Sequence, residues 1–545
     1  MEEKKSIGEI QSTLWAMANK LRGTMDASEY KNYILSFMFY RYLSEKQMTY
    51  MEEQGLFDIL AGVSENEAFA AAVKKEGWDD YLEELASSLG YAIKPEYTWQ
   101  SLKDKIENST VKPSDYQDIF DAFNESTKRN KEAEVDFKGI FSDVNLGDSR
   151  LGTTTVDRAK TLNKIVELVS TIDYKDDEGR DILGTVYEYL IGQFAASAGK
   201  KGGEFYTPHE VSVIMAKIVT SGKDMTATND AFSVYDPTCG SGSLLLTVGS
   251  ELKGGNKQGA INYYGQEMNT TTYNLARMNL MMHGVDYQNM HLSNANTLGR
   301  DWPDGQDATG IDHSRSFEAV VANPPYSAKW EPEEGTIKDP RYKDYGRVAP
   351  KTKADYAFLL HGLYHLNNEG TMAIVLPHGV LFRGAAEGVI REALIKKNFI
   401  DTIIGLPANL FFGTTIATII MVLKRNKKDR NILFIDASNE FKKDKNKNVL
   451  TEENINKIYS AYLDRKNIDK YTSLATREEI ENNDYNLNIP RYVDTSEPEE
   501  EIDLQEVLNQ IRKDDEEILE LEKKIEEQLK LLGVIKNDDD SQHAE

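Results

Sequence analysis

Residues 232–248 read FSVYDPTCGSGSLLLTV. A β-branched and aromatic run is followed by an acidic residue, a glycine-rich turn and the start of an apolar helix. Strand, turn and helix in that order form the unit from which an open α/β sheet builds a nucleotide-cofactor site, with the ligand over the carboxyl ends of the strands. Gly240 and Gly242 let the backbone approach such a ligand closely. The turn has no G-x-G-x-x-G, and no Lys-Ser/Thr pair follows its glycines, so it is not built for a pyrophosphate or a triphosphate. It suits S-adenosylmethionine, which carries a cationic sulfonium and a zwitterionic amino acid tail. Asp236 then falls near the methionyl ammonium.

Two neighbouring stretches extend this reading. Residues 261–267, INYYGQE, form a short strand ending in Glu267, which is placed to accept from ribose hydroxyls as the acid after a second strand does in dinucleotide folds. Residues 204–208, EFYTP, bring an aromatic and a hydroxyl to the same sheet edge.

Further along, residues 317–326 read FEAVVANPPY, an apolar strand running into Asn323-Pro324-Pro325-Tyr326. This turn suits a planar amino or amide nitrogen, a poor nucleophile because its lone pair is delocalised. The Asn323 side-chain oxygen and the Pro324 carbonyl can accept its two N–H bonds and localise that lone pair. Pro324 and Pro325 fix φ and stiffen the turn. Tyr326 offers a flat face on which a flipped base can stack.

EFYTP, DPTCGSG, GQE, NPPY and FFGTTIATIIMVL, in that order, resemble the motifs of amino-methylating DNA methyltransferases with the cofactor motif first. The whole chain resembles the methylation subunit of type I restriction–modification systems. That likeness includes YILSFMFYRYLSEK near the start, GGEFYTPHEVSVIMAKIV, and KADYAFLLHGLYHLNNEGTMAIVLPHGVLFR. It implies adenine-N6 methylation of double-stranded DNA with S-adenosylmethionine as cofactor. Expected cofactor residues are Glu204, Phe205, Tyr206, Thr207, Asp236, Thr238, Gly240, Gly242, Ser243, Glu267 and Asn296. Expected catalytic residues are Asn323, Pro324, Pro325 and Tyr326, with Phe411 or Phe412 packing on the target base opposite Tyr326. One departure stands out. SNANTL puts Asn296 where many adenine methyltransferases carry an Asp beside the cofactor adenine, so no charge is supplied there. The likeness also implies a specificity subunit, a second copy of this chain and a restriction (motor and nuclease) subunit as partners.

At 545 residues and 40% apolar, the chain can bury two or three domains. No apolar run approaches the ~20 residues that span a bilayer, and no signal-peptide pattern opens the chain, so a cytoplasmic bacterial or archaeal protein without membrane association is expected. No metal is expected. The single cysteine, Cys239, excludes a disulfide framework. Methylation at cytosine carbon-5 uses a cysteine nucleophile, and Cys239 lies in the cofactor turn as a small packing residue, which argues against that route.

A net charge of −26 is unusual for an enzyme of duplex DNA, where Lys and Arg meet phosphates. Acids dominate from Glu497 onward. Bases concentrate after the NPPY turn, at Lys329, Lys338, Arg341, Lys343, Arg347, Lys351 and Lys353, interleaved with Trp330, Tyr342 and Tyr345. These can line a channel to a flipped base. A second group runs from Lys424 to Arg430. So acidic a subunit would bind DNA weakly alone, which again points to a partner.

The pattern divides the chain into an α-helical domain (1–170), a catalytic domain (171–425), a connecting region (426–497) and an acidic heptad helix with its tail (498–545). Strands at 232–235, 261–265, 317–322, 371–376, 400–406 and 416–423 alternate with helical patterns, predicting a mostly parallel, Rossmann-like, doubly wound α/β sheet. Leu504, Ile511, Ile518, Ile525 and Leu532 recur every seventh residue, with Val507 and Leu521 at the second seam position. Asp514 and Gln528 interrupt the seam, which favours a particular partner over strong self-pairing. Little chain remains for a base-reading domain, so sequence choice is expected to be delegated. Other readings stay open here: methylation of cytosine-N4 or of a protein glutamine, or a non-catalytic assembly role.

Overall fold

The computed structural model describes residues 27–59, 61–172, 182–198, 207–228, 230–257, 259–299, 305–306, 312–313, 315–411, 415–444, 447–495 and 503–535, with scattered positions between 8 and 19. Two compact units emerge, residues 1–494 and 495–545.

The first unit is organised by strands too apolar to face water. We label the sheet strands β1 (Phe232–Asp236), β2 (Ile261–Gln266), β3 (Met290–Ser293), β4 (Phe317–Ala322), β5 (Leu366–Pro377), β6 (Ile400–Gly405), β7 (Thr418–Lys424), β8 (Ile432–Asp436) and β9 (Thr472–Ala475). Every residue of β6 is buried, as are the first six of β7, the sign of strands covered on both faces. The nine strands lie in the order β9-β8-β6-β7-β5-β4-β1-β2-β3. From β3 through β2, β1 and β4 to β5 all pairing is parallel. β7 runs antiparallel between β5 and β6. Chain order reverses at β1, which has β2 on one side and β4 on the other. The crevice at such a switch point, outside the carboxyl ends, is where open sheets bind ligands.

Residues 426–497 are not a mere connector. β8 pairs parallel to β6 and β9 antiparallel to β8, so this segment extends the sheet by two strands. A polar lead-in, NKKDRN, hides the short apolar strand ILFID in the sequence.

On the N-terminal side, helix Ala27–Glu53 buries Tyr30, Tyr33, Ile34, Phe37, Phe39, Tyr40 and Leu43 among surrounding helices. A helix apolar on nearly all faces belongs in a core, each large side chain contributing roughly 1.5–3 kcal/mol. This helical region is tied to helix Thr270–Met282, which follows β2. There Arg277, 1% exposed, donates to the carbonyls of Asp136 (2.7 Å) and Lys138 (3.0 Å), while Asn274 donates to Asp143 at 2.6 Å.

The second unit is helix Leu504–Leu531, capped by Asp503 accepting from the Gln505 and Glu506 amides. None of its residues is buried. Leu504, Val507, Ile511, Ile518, Leu521 and Ile525 are all exposed.

Candidate functional site

Four parallel strands end at one cavity of about 760 Å³. It is lined by Asp236, Thr238, Gly240 and Ser243 after β1, Glu267 after β2, Asn296 after β3, and Asn323 and Pro325 after β4, with Thr207 from the preceding segment. Residues read separately from the sequence are therefore brought together at the switch point. Gly242 stands behind the wall as the left-handed N-cap of helix Ser243–Glu251. Its φ is +78°, and an added Cβ would sit 2.4 Å from Leu280 Cδ1. Gly240, at φ +55°, has open space where a Cβ would be. Glu204, Phe205, Tyr206 and Phe412 lie outside the described residues.

The first turn is held by its own carboxylates. Asp236, 2% exposed, accepts the Thr238 amide at 2.8 Å. Burial lifts its carboxyl to about 7 against the lowering effect of that N–H, and the nearby Glu267 charge adds to the rise. Glu267 accepts from the Gly240 amide (3.2 Å) and the Asn269 amide (2.7 Å). Cys239 is buried, and desolvation pushes its thiol well above the ordinary range, so it is held protonated as a packing residue. Two acids beside glycine-rich backbone make an electronegative floor that favours a cation.

At the other end, the Asn323 amide nitrogen donates to Thr207 Oγ1 at 2.9 Å, and the Tyr326 hydroxyl donates to Asn323 Oδ1 at 2.9 Å. An amide oxygen has two lone pairs, so Oδ1 keeps one for a further donor. The Tyr326 ring meets Phe411 edge-on, centroids 5.9 Å apart and planes at 84°. Sequence reading placed the two rings on opposite faces of a base. In the structure they touch each other edge-to-face, a favoured arrangement of two aromatic rings.

The basic segment after the turn divides. Lys329, Lys338, Lys343, Arg347 and Lys351 are exposed. Arg341 corrects the reading of a DNA-facing series: it is 3% exposed and points inward. Trp330, Tyr342 and Tyr345 are likewise core residues, with Trp330 against Tyr342 and its indole N–H on the Pro350 carbonyl. Of the second group, Arg425 is spent on the carbonyls of Leu363 and Tyr364, and Lys424 sits 3.7 Å from Asp401.

Sequence reasoning missed Gln266, Ser241 and Thr297. Gln266 lines the cavity fully buried, its Oε1 taken by the Tyr235 hydroxyl and its Nε2 without a partner among the described residues. Ser241 and Thr297 line it too; Thr297 donates to the Pro237 carbonyl at 2.5 Å. The alternation of β2 places Gln266 inward, a signal that its neighbour Glu267 overshadowed.

A parallel switch-point crevice floored by two acids, with an Asn-Pro-Pro-Tyr turn on its rim, belongs to a Rossmann-like, doubly wound α/β fold. The N-6 DNA methylase family model matches residues 178–501, and the HsdM N-terminal domain model matches residues 10–169. The chain is 38% identical over 516 residues to the type I restriction enzyme MpnII methylase subunit of Mycoplasma pneumoniae, covering 92% of each. It is 30% identical over 532 residues to the MjaVIII methylase subunit of Methanocaldococcus jannaschii, covering 95% of this chain and 83% of that one. The crystal structure of the type I restriction–modification methyltransferase subunit from Streptococcus thermophilus superposes with a TM-score of 0.80 at 44% identity, covering 90% of this chain and 100% of that one. The chain belongs to the family of type I restriction enzyme methylase subunits, with an N-6 DNA methylase domain. Among the described residues, no helix is long and apolar enough to cross a membrane.

Proposed function

We propose that this chain methylates the N6 amino group of adenine in double-stranded DNA, using S-adenosylmethionine, within a complex whose specificity subunit selects the site. The observation that carries the reading is the Asn323 amide, oriented by Thr207 on one side and Tyr326 on the other, at the rim of a cavity floored by Asp236 and Glu267. The residues present fit the cofactor. The two acids suit a sulfonium and an ammonium, the open space at Gly240 admits a close ligand, and Gln266 Nε2, unpaired among the described residues, offers a buried donor.

Asp236, Thr238, Gly240, Ser243, Glu267 and Asn296 would hold it. Bound there, S-adenosylmethionine supplies an electrophilic methyl group. Asn323 Oδ1 and the Pro324 carbonyl accept the two N–H bonds of the adenine amino group and localise its lone pair. Tyr326 and Phe411 part to take the base between them. The nitrogen sheds its proton during or after transfer, so no strong general base is required. Asp236 ionises fully when a cation arrives beside it, which couples cofactor charge to the floor of the site.

The partners in this reading are a specificity subunit, a second copy of this chain and a restriction subunit. The exposed seam of helix Leu504–Leu531 serves assembly, and residues 1–170 form the helical docking domain. The test is methylation-sensitive sequencing of DNA from cells expressing this chain with its genetically adjacent specificity subunit. Modified adenines in a bipartite motif, absent with Asn323→Ala, support it. Site-specific methylation by this chain alone would sink the delegated choice of sequence. Truncation near Pro498 should weaken assembly and leave cofactor binding intact.

A further inference from the structure

Arg341 lies in the segment that follows the Asn323 turn, yet its guanidinium is committed to the other side of the cavity. Nη1 donates to the Thr297 carbonyl at 3.0 Å and Nη2 to the Gly299 carbonyl at 3.1 Å, two positions that follow Asn296 in its loop. Asp339 accepts from Nε and Nη2 and fixes the plane of the group. Thr297 in turn donates through Oγ1 to the Pro237 carbonyl, inside the turn after β1. One side chain therefore links the segment after β4 to the loop after β3, and through Thr297 to the turn after β1.

The link continues under the floor. Arg341 Nη1 also lies 3.1 Å from His361 Nδ1. A guanidinium only donates, so Nδ1 accepts and the His361 proton sits on Nε2. Nε2 lies 2.7 Å from the Tyr235 hydroxyl, and that hydroxyl donates its proton to Gln266 Oε1 at 2.6 Å. All three bonds run in one direction, and the chain of donors ends on a residue of the cavity wall. Arg341 and both ring partners are buried, so these bonds act in a medium where each is strengthened and none is replaced by water without cost.

We infer that Arg341 is a positioning residue for methyl transfer: it holds the Asn296 loop against the cavity and locks that loop to the segment carrying the target-base turn. It does not touch DNA. The inference rests on the proposed use of S-adenosylmethionine.

The experiment is calorimetric titration of S-adenosylmethionine into the full chain, wild type against Arg341→Met, Arg341→Lys and Thr297→Val. It is paired with steady-state methylation of plasmid DNA by each chain assembled with its specificity subunit. For Arg341→Met we expect the Kd and KM for S-adenosylmethionine to rise tenfold or more, with the KM for DNA unchanged and kcat at saturating cofactor within about threefold. Arg341→Lys recovers only part of this, because a point charge cannot hold two carbonyls and a carboxylate together. Thr297→Val, which removes one hydroxyl and leaves Arg341 in place, should show the same split more weakly, and it decides the matter if the Arg341 variants do not fold. A raised KM for DNA with unchanged cofactor affinity overturns the inference and restores Arg341 to DNA contact. Unchanged constants in folded variants, or equal loss in kcat and both KM values, overturn it as well. If the wild-type chain binds no S-adenosylmethionine, the proposed cofactor itself falls, a result distinct from wild-type binding that Arg341→Met leaves untouched.

Discussion

The side-chain nitrogen of Asn323 donates to Thr207 Oγ1 at 2.9 Å across 116 positions of sequence. With the amide nitrogen turned toward Thr207, Oδ1 is left to the Tyr326 hydroxyl and to one further donor. Thr207 was expected from its motif to serve the cofactor. It lines the cavity and also supports the residue assigned to the target amine.

Thr207→Val keeps the shape and removes the acceptor. Loss of one such bond is worth about 1–2 kcal/mol, or roughly 5–30-fold in rate. We expect kcat to fall by that factor with S-adenosylmethionine affinity nearly unchanged, and Thr207→Ser to restore it. A Thr207→Val enzyme with normal kcat and weak cofactor binding would return the residue to the cofactor.

The two glycines of the turn should fail differently. Gly242→Ala meets Leu280 and a positive φ together, and should cost about 2–5 kcal/mol of stability. Gly240→Ala meets only the positive φ, about 1–2 kcal/mol, yet its methyl group projects into open space beside the cavity. Thermal melts should separate the first from the second. Calorimetry should show cofactor affinity lost in a Gly240→Ala chain that is still folded.

Asp236 makes the site pH-dependent in a direction that can be worked out. Its carboxyl is raised from the usual 3.8 to about 7 in the folded chain. The folded state therefore binds its proton more tightly than the unfolded state, and stability falls as pH rises from about 4 to about 7. The loss reaches on the order of 4 kcal/mol above that window. Asp236→Asn should accordingly raise the melting temperature at pH 8 and much less at pH 4. The wild type should gain S-adenosylmethionine affinity between pH 6 and pH 8, and the same substitution should abolish that gain. A melting difference that does not change with pH would contradict the buried, proton-retaining carboxyl.

Tyr326 separates its ring from its hydroxyl. Tyr326→Phe loses the bond to Asn323 but keeps the stacking face, and should retain methylation within about threefold, since the Thr207 bond still orients the amide. Tyr326→Ala removes the face. Stacking on one base is worth about 1–3 kcal/mol, so activity should fall roughly 5–150-fold, and 2-aminopurine placed at the target should lose its enzyme-induced fluorescence change.

The central strands and the glycine turn could be read directly because their physics is local. β4 and β7 contain unbroken apolar stretches, AVVA and IIMVL, β1 and β6 are rich in β-branched and aromatic residues, and the turn after β1 advertises its geometry through its glycines. β3 and β9 escaped because four residues each, half of them polar, carry too little pattern to register. Arg341 escaped for another reason. In a run of lysines a charge reads as solvated, and its burial becomes favourable only when the Asp339 carboxylate is joined by the carbonyls of Thr297 and Gly299, more than forty positions earlier. The resemblance brought Phe411 or Phe412 opposite Tyr326, but the direct edge-to-face contact joins the loops after β4 and β6 and has no local signature.

Helix Leu504–Leu531 displays its leucines and isoleucines to solvent along its whole length. Bare apolar surface of this kind is drawn to any similar surface, other copies included. Copies synthesised beyond the supply of whatever covers the seam would clump or be degraded. Gene dosage and translation rate thereby become part of keeping this protein dispersed, and a cell that overproduces it without its covering chain should recover it largely in the insoluble fraction.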